Sequence, residues 1–583
     1  MHEFKVWAPR AQKLQLQLND HDVLPTSDRD PRGWWTLSVA QAGCNVDYAY
    51  LVGDDPTPYP DPRSAWQPRG VHGPSRLYDQ GAFRWTDANW HSPPLSGAIL
   101  YELHIGTFSR EGTFDGAIQH LDYLVDLGIT HVEVMPVNEF AGNRGWGYDG
   151  VFLFAVFEPY GGPDGFKRFV DACHARNLAV ILDVVYNHFG PVGNYASKFA
   201  PYLTDRFHTP WGAAVNFNEA GSDEVRRFFC DNALMWLKDF HVDGLRLDAT
   251  HEYIDRSAVH FMEQLSAEVE RLGATLGRKF VLIAESDLND PKFVRPREAH
   301  GYGMDAQWSD DFHHSLFTLL WRDPGRGYYD DFGSMDDLVK SLKRVFVYDG
   351  IYSGYRHHSH GRPVNGLSAH HFVGYIQNHD QVGNRAAGER LEHLVGMEGA
   401  KVAVGIVLTA PFLPMLFMGE EFASSSPFLF FADHEEEEMR RLVSEGRKRD
   451  FAAFGWDDSQ IPDPEKVETF ERSKLDWNQV AKGKHAEMLA WVKQLIALRR
   501  NTVDLNDGDL GHVEVECRED DKSLMMRRGS VRVLANLGDP PVMMKVLKGE
   551  SIRLSSREGI AISGNEIALP GLSLVVMMAA SKG

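Results

Sequence analysis

Cysteine is nearly absent from this chain. Its four cysteines, Cys44, Cys173, Cys230 and Cys517, lie far apart with no C-x-x-C spacing among 583 residues. That excludes a disulfide framework and a thiolate metal site, and the four read as buried free thiols. Basic residues are also short, 60 Lys and Arg against 82 Asp and Glu, for a net charge of −22. Phosphates would be repelled by such an excess, so neither nucleic acid nor an anionic membrane is an expected partner, whereas a neutral polar ligand such as sugar is compatible. No uninterrupted apolar run is long enough to span a bilayer. The start, Met1-His2-Glu3-Phe4-Lys5-Val6, lacks the apolar stretch of a signal peptide, so a cytoplasmic location is expected. Repeats are lacking too. The one biased tract, Glu435–Glu438, reads as a solvated face.

What remains is an ordinary globular composition, 43% apolar and 24% charged, in a chain too long for a single hydrophobic core. Residues 1–92 look all-β. Phe4–Pro9, Leu14–Leu18 and Asp47–Val52 alternate apolar and polar residues between Asp-, Gly- and Pro-rich turns, which suggests a small sandwich resembling a carbohydrate-binding module. Trp34, Trp35 and Trp66 read either as a sugar-stacking platform or, more commonly, as core or interdomain packing.

From Ala98 the rhythm changes. Short apolar strands are expected at Ala98–Glu102, His131–Met135, Ala179–Val185, Gly244–Asp248, Phe280–Ala284, Met304–Trp308, Phe372–Gln377 and Leu413–Met418. Helical patterns intervene, for instance at Pro163–Arg176, Ser222–Phe240, Ser257–Leu272 and Leu394–Leu408. Eight strands, most followed by a helix, predict an α/β fold of the (β/α)8 TIM-barrel type over residues 93–503. Insertions are expected after Gly190 and from Gly325 to Ala369. Asp476–Arg499 reads as a last helix on the barrel. Val513–Val515, Ser530–Leu534 and Leu572–Val576 predict a C-terminal β domain over 504–583.

In such a barrel, reactive groups sit where strands end and βα loops begin. The third strand runs into Asp183-Val184-Val185-Tyr186-Asn187-His188 and the fourth into Arg246-Leu247-Asp248-Ala249-Thr250-His251. The fifth ends with Glu285-Ser286-Asp287, and the seventh with Gln377-Asn378-His379-Asp380-Gln381. Three acids, Asp248, Glu285 and Asp380, thus converge on one mouth. Crowded carboxyls cannot all ionise freely. Arg246 shares a strand face with Asp248 and is expected to hold it anionic, which leaves Glu285 as the proton carrier. An ionised nucleophile beside a protonated acid is what retaining glycoside hydrolysis requires, with the carboxyl groups about 5–5.5 Å apart. His188 and His379 could donate to sugar hydroxyls. A non-catalytic glucan-binding barrel would not need all three acids.

These four segments, in this order, resemble the four signature regions of the α-amylase family of glycoside hydrolases. The resemblance implies Asp248 as nucleophile, Glu285 as general acid/base and Asp380 as the acid that holds the distorted sugar's hydroxyls. It further implies that Arg246 orients Asp248, that His188 and His379 bind the sugar at the cleaved unit, and that Tyr148 is its stacking platform. His251 would border the leaving-group side. Asp183 and Asn187 would be structural. Some relatives bind calcium near there, but no set of oxygen ligands is evident here, so no metal and no cofactor are expected.

A narrower resemblance rests on His131–Val137, Trp146–Val151, Asn187–Pro191, Ala284–Asp290, Trp308–His314 and Asn378–Arg385. It points to members of the family that cut the α-1,4 bond beside a terminal trehalose, so the expected substrate is maltooligosyltrehalose or a related α-glucan. Branching enzymes share the N-terminal sandwich and the His131–Pro136 type of strand but usually place Glu where Gln381 stands. Branching or debranching is the alternative reading. Loops around Asn143-Arg144, Asp287–Asp290 and Gln381–Arg385 are candidates for reading the trehalose end, so Asp287, Gln381, Asn384 and Arg385 join the expected substrate-binding residues. Phe422 stands where this narrower group tends to carry Trp, a difference expected to bear on the cleft.

Overall fold

The structure is a computed structural model that describes residues 2–40, 42–321, 327–452 and 461–579. Eight parallel strands close into a barrel. They are β1 (Leu100–Leu103), β2 (His131–Val134), β3 (Ala179–Val184), β4 (Gly244–Leu247), β5 (Val281–Ala284), β6 (Ala306–Trp308), β7 (Phe372–Gly374) and β8 (Leu413–Phe417). All eight expected strands are present, each within a few residues of its expected place. Each pairs with its neighbours in sequence order, and β8 returns to β1. β6 and β7 are shortest, three residues each, held by two paired positions on each side.

Successive residues on a strand face opposite ways, so each barrel strand has an inner and an outer set. Leu100, Ile181, Val281, Ile283, Ala306, Trp308, Val373, Leu413 and Met415 form an apolar cluster separate from the main core. This cluster fills the inside of the barrel. The alternate residues, such as Tyr101, Val132, Val180, Leu182, Leu245 and Leu247, join the large core between strands and helices. One step further along the inner set come Glu102, Glu133, Asp183 and Arg246. The barrel interior therefore passes from an apolar plug to a charged layer at the strands' C-terminal ends.

The surrounding helices follow from their apolar stripes. Ser222–Asp239 buries Val225, Phe228, Phe229, Ala233 and Trp236 on one side and carries Asp223 and Glu224 in its first turn, where the helix dipole favours negative charge. Gly162–His174, Phe261–Leu276 and Leu391–Thr409 occupy the other expected helical positions. Gly483–Asn501 is the last helix, starting seven residues after the expected Asp476. The insertions carry hairpins, Leu203–Thr209 with Gly212–Val215 and Asp349–Ser353 with His358–Gly361. Gly325, where the second insertion was expected to begin, lies outside the described residues.

Two small sheets lie N-terminal to the barrel, and a five-stranded and a three-stranded sheet lie C-terminal to it. The N-terminal tryptophans are packing residues. Trp35 is buried and donates to the Ala8 carbonyl. Trp34 donates to Glu224 and Trp66 to Glu158, so both tie the first sheets to the barrel. Two of the cysteines depart from expectation. Cys173 and Cys230 are buried thiols, but Cys44 is exposed and Cys517 half-buried, because both lie in the small β regions where thin layers leave little interior. Glu435–Glu438 is exposed, as expected of a solvated run.

Candidate active site

Each expected acid sits just beyond a barrel strand. Asp248 follows β4, Glu285 follows β5, and Asp380 lies in the first turn of a short helix, His379–Gly383, after β7. Asn378 caps that helix by accepting from the Gln381 N–H, which fixes the direction in which His379 and Asp380 leave the backbone.

Arg246 organises the cluster. It is fully buried, its guanidinium lies over the Trp308 ring at 4.2 Å, and one nitrogen, Nη1, donates to Asp183 Oδ2 at 2.7 Å and to Asp248 Oδ1 at 2.8 Å. Its Nη2 lies 3.3 Å from Glu285 Oε2. One guanidinium thus touches carboxyls from three neighbouring strands. The expectation that Arg246 singles out Asp248 does not hold. The arginine is shared, because β3 and β4 register sets Asp183 directly beside it. Burial pushes the Asp248 carboxyl well above the aspartate range; Arg246 opposes this, while Glu285, Asp183 and Asp380 add to it. Asp183 is shifted the same way, chiefly by burial. Asp248 and Asp183 are thus both pushed toward the protonated form by burial, with Arg246 the main opposing charge in each case.

Glu285 has a second contact. Its Oε2 accepts the Ala249 N–H at 2.5 Å. Ala249 adopts φ 39°, ψ 52°, a left-handed conformation that costs a residue with a Cβ of order 1 kcal/mol or more. That turn directs an amide of the β4 loop at the end of β5, and Thr250 bonds the Glu285 carbonyl through both its N–H and its hydroxyl. Local strain at Ala249 is thus offset by contacts that fix Glu285 against Asp248.

The opposite wall is built on Tyr148 and His379. The Tyr148 hydroxyl donates to Asp183 Oδ2 at 2.7 Å and lies 2.8 Å from His379 Nε2, with the two rings stacked at 5.1 Å. His379 Nε2 lies 3.4 Å from Asp380 Oδ2, and Asn384 donates to Asp380 Oδ1 at 3.0 Å. His188 is buried, with its ring stacked on Trp211 at 4.9 Å, and burial lowers its pKa to about 4, so it is a neutral imidazole.

The remaining expected residues divide. His251 Nε2 lies 4.0 Å from Asp287 Oδ1, and Arg356 from the second insertion meets Asp287 at 3.1 Å, so these three line the rim beside Glu285. Gln381 accepts from the Tyr329 hydroxyl at 3.3 Å. Arg385 is engaged elsewhere, over the Trp321 ring at 4.3 Å and 3.5 Å from Glu389. Arg144 is tied to Asp433 at 2.8 Å. Phe422 does not bear on the cleft. It is fully buried and packs toward Trp477, because the turn after β8 points it into the core.

Two acids of this layer escaped sequence reading. Glu102 on β1 accepts the His379 N–H at 2.9 Å and lies 2.5 Å from His379 Nδ1. Glu133 on β2 is buried with neither carboxyl oxygen hydrogen-bonded, and burial raises it well above the usual glutamate range. The signal existed: a lone acid in the apolar runs Leu100–Leu103 and His131–Val134 is a costly burial that calls for a partner or a proton. Asp310, just beyond β6, is a third such acid. It is raised by burial to about 7 and bonded by the Tyr375 hydroxyl.

The family model for the alpha amylase catalytic domain matches residues 77–205. A malto-oligosyltrehalose trehalohydrolase of Rhizobium sp. (strain M-11) is 45% identical, over 98% of this chain and 97% of its own. One of Mycobacterium tuberculosis (strain H37Rv) is 46% identical over the full length of both. A 1,4-alpha-glucan branching enzyme of Bacillus caldolyticus is 27% identical over 77% of this chain. Among solved structures, a protein of Salmonella typhimurium described as an alpha amylase superposes with a TM-score of 0.90 at 36% identity, covering 99% of this chain and 97% of that one.

Proposed function

The chain belongs to the malto-oligosyltrehalose trehalohydrolase family, within the α-amylase group of glycoside hydrolases, and on that premise we propose that it cleaves the α-1,4-glucosidic bond beside the terminal trehalose of maltooligosyltrehalose. The products are trehalose and a maltooligosaccharide. The observation that carries the chemistry is the single buried guanidinium in contact with both Asp248 and Glu285. Both carboxyls are held against that one cation, which supports their acting together on one bond in a retaining mechanism.

In this reading the glucan lies across the barrel mouth with one glucose against Tyr148. Glu285 serves as the general acid, its carboxyl fixed by the Ala249 amide. It protonates the bridging oxygen while the Asp248 carboxylate, paired with Arg246, attacks the anomeric carbon. Asp380 accepts from the hydroxyls of the distorted sugar, and His188 and His379 donate to them. Trehalose leaves. Glu285 then takes a proton from water, which opens the β-linked glycosyl–Asp248 ester with a second inversion, so the maltooligosaccharide keeps its α configuration. His251, Asp287, Gln381 and Asn384 line the acid end of the cleft and contact the leaving trehalose or the sugar beside it. The acidic surface suits a neutral sugar, and a cytoplasmic site of action is part of the same proposal. No helix among the described residues is long and apolar enough to cross a membrane.

The test is product analysis on maltopentaosyltrehalose beside uncapped maltoheptaose. The expected result is free trehalose from the capped chain and slower cleavage of the uncapped one. Chain transfer or α-1,6 cleavage without free trehalose would refute the reading.

A further inference from the structure

His379 is held from two sides, and the mechanism above uses only one of them. Toward the cleft, Nε2 lies 2.8 Å from the Tyr148 oxygen. The Tyr148 O–H is already given to Asp183 Oδ2 at 2.7 Å, so the tyrosine oxygen can only accept, and Nε2 must carry the hydrogen. Toward the barrel interior, Nδ1 lies 2.5 Å from Glu102 Oε1, while Glu102 Oε2 accepts the His379 backbone N–H at 2.9 Å. With Glu102 as a carboxylate that accepts at both oxygens, Nδ1 donates as well. Both ring nitrogens then bear hydrogens, which makes the ring an imidazolium. Glu102 and His379 are each 1% exposed, so water does not screen the pair.

We propose that Glu102 is a positioning residue of the reaction: it fixes His379 in its doubly protonated form, so that Nε2 stays a hydrogen-bond donor on the cleft side, where the Tyr148 oxygen lies at 2.8 Å and Asp380 Oδ2 at 3.4 Å. Without that counter-ion a neutral imidazole could choose either tautomer. One of the two, with the hydrogen on Nδ1, would offer the sugar an acceptor instead of a donor.

The groups facing His379 agree with this assignment. Burial disfavours its charged form; Asp380, on its own helix, and Glu102, from β1, favour it and prevail, while Arg246 from β4 opposes. The balance raises His379 to about 9. Asp183 from β3 and Glu133 from β2 also face it, as does the neutral His104 after β1, which burial lowers to about 3. Glu133 neighbours Glu102 directly in the β1–β2 register. Its buried carboxyl, with neither oxygen hydrogen-bonded, is pushed toward the neutral form by burial.

Histidine-selective 15N NMR titration tests the proposal, with His379 assigned from the spectrum of His379→Gln. In the wild-type chain both ring nitrogens should remain protonated to about pH 9. In Glu102→Gln the titration should fall by about two pH units, the usual size of one buried opposite charge, and Glu102→Asp should restore part of the shift. A neutral His379 ring in the wild type at pH 7 would overturn the proposal without need of any variant. An unchanged titration in a folded Glu102→Gln would do the same. A second readout rests on the functional reading above: the alkaline limb of kcat/KM for trehalose release should move down with the titration. Failure of the wild type to release trehalose would sink that reading and leave the NMR result standing.

Discussion

Replacing Arg246 by Met removes the one cation shared by Asp183, Asp248 and Glu285 while keeping most of the volume over Trp308. The arginine is fully buried, and two carboxylates accept from it. Breaking a buried ion pair by removing one partner costs about 3–5 kcal/mol, because the remaining charge is stranded. Here more than one carboxyl is stranded, so the upper part of that range is expected at pH 8. The sign of the pH dependence follows from Asp248, whose folded-state pKa is already raised. A raised carboxyl contributes a cost that is absent below the unfolded aspartate value, near 4, and grows as pH climbs toward the folded one. Arg246→Met raises these carboxyls further, so its destabilisation should shrink on going from pH 8 to pH 5, where protons replace the lost charge. Urea unfolding of both proteins at the two pH values measures this directly. Arg246→Lys should recover only part of the loss, since a single ammonium cannot span three carboxyls. A loss below about 1 kcal/mol, or one equal at both pH values, would refute the reasoning that the guanidinium is the cluster's counter-charge.

Two further outcomes are expected. Tyr148→Phe keeps the ring but cuts the hydroxyl between His379 and Asp183, and should lower kcat/KM for trehalose release about tenfold, one hydrogen bond's worth. Tyr148→Ala should cost far more, and equal losses in the two variants would remove the hydroxyl from the argument. At the floor of the barrel, His174 is held between Asp87 and Asp243, at 2.8 and 3.0 Å, with Trp90 stacked on it. Burial opposes its charge, but the two aspartates outweigh burial and raise it, so its contribution is complete below about pH 6.5 and fades as pH rises through the folded value. Asp87 is lowered by the histidines against burial, so its share fades below about pH 4. Asp87→Asn should therefore cost most between these limits, about 1–3 kcal/mol, and less at pH 9. Thermal unfolding across that range would show it, and a flat cost would count against the histidine clamp.

The barrel was legible in the sequence because its strands are short apolar runs separated by amphipathic helices, and the site because polar clusters follow those runs. Asp248, Glu285 and Asp380 were each visible as an acid at the end of an apolar strand. What was not legible depends on register. Arg246 looked like the private partner of Asp248 since the two share a strand. Only the β3–β4 pairing brings Asp183 to the same guanidinium, and only the strained turn at Ala249 brings Glu285 there. Glu102 and Glu133 stood in plain view within strands, yet nothing in a linear reading says that one meets His379 and the other meets no polar partner. Phe422 and Arg385 were hard to read for the opposite reason. Both adjoin sequence motifs of the cleft, but their side chains are directed into packing against Trp477 and Trp321.

The central claim is that Asp248 and Glu285 perform the bond cleavage together. It is tested most directly by kcat for trehalose release from maltopentaosyltrehalose in Asp248→Asn and Glu285→Gln, with circular dichroism confirming that each variant is folded. Both substitutions are nearly isosteric, so the expected result is a loss of several orders of magnitude in each folded variant. A folded variant of either kind with near-normal turnover would contradict the account.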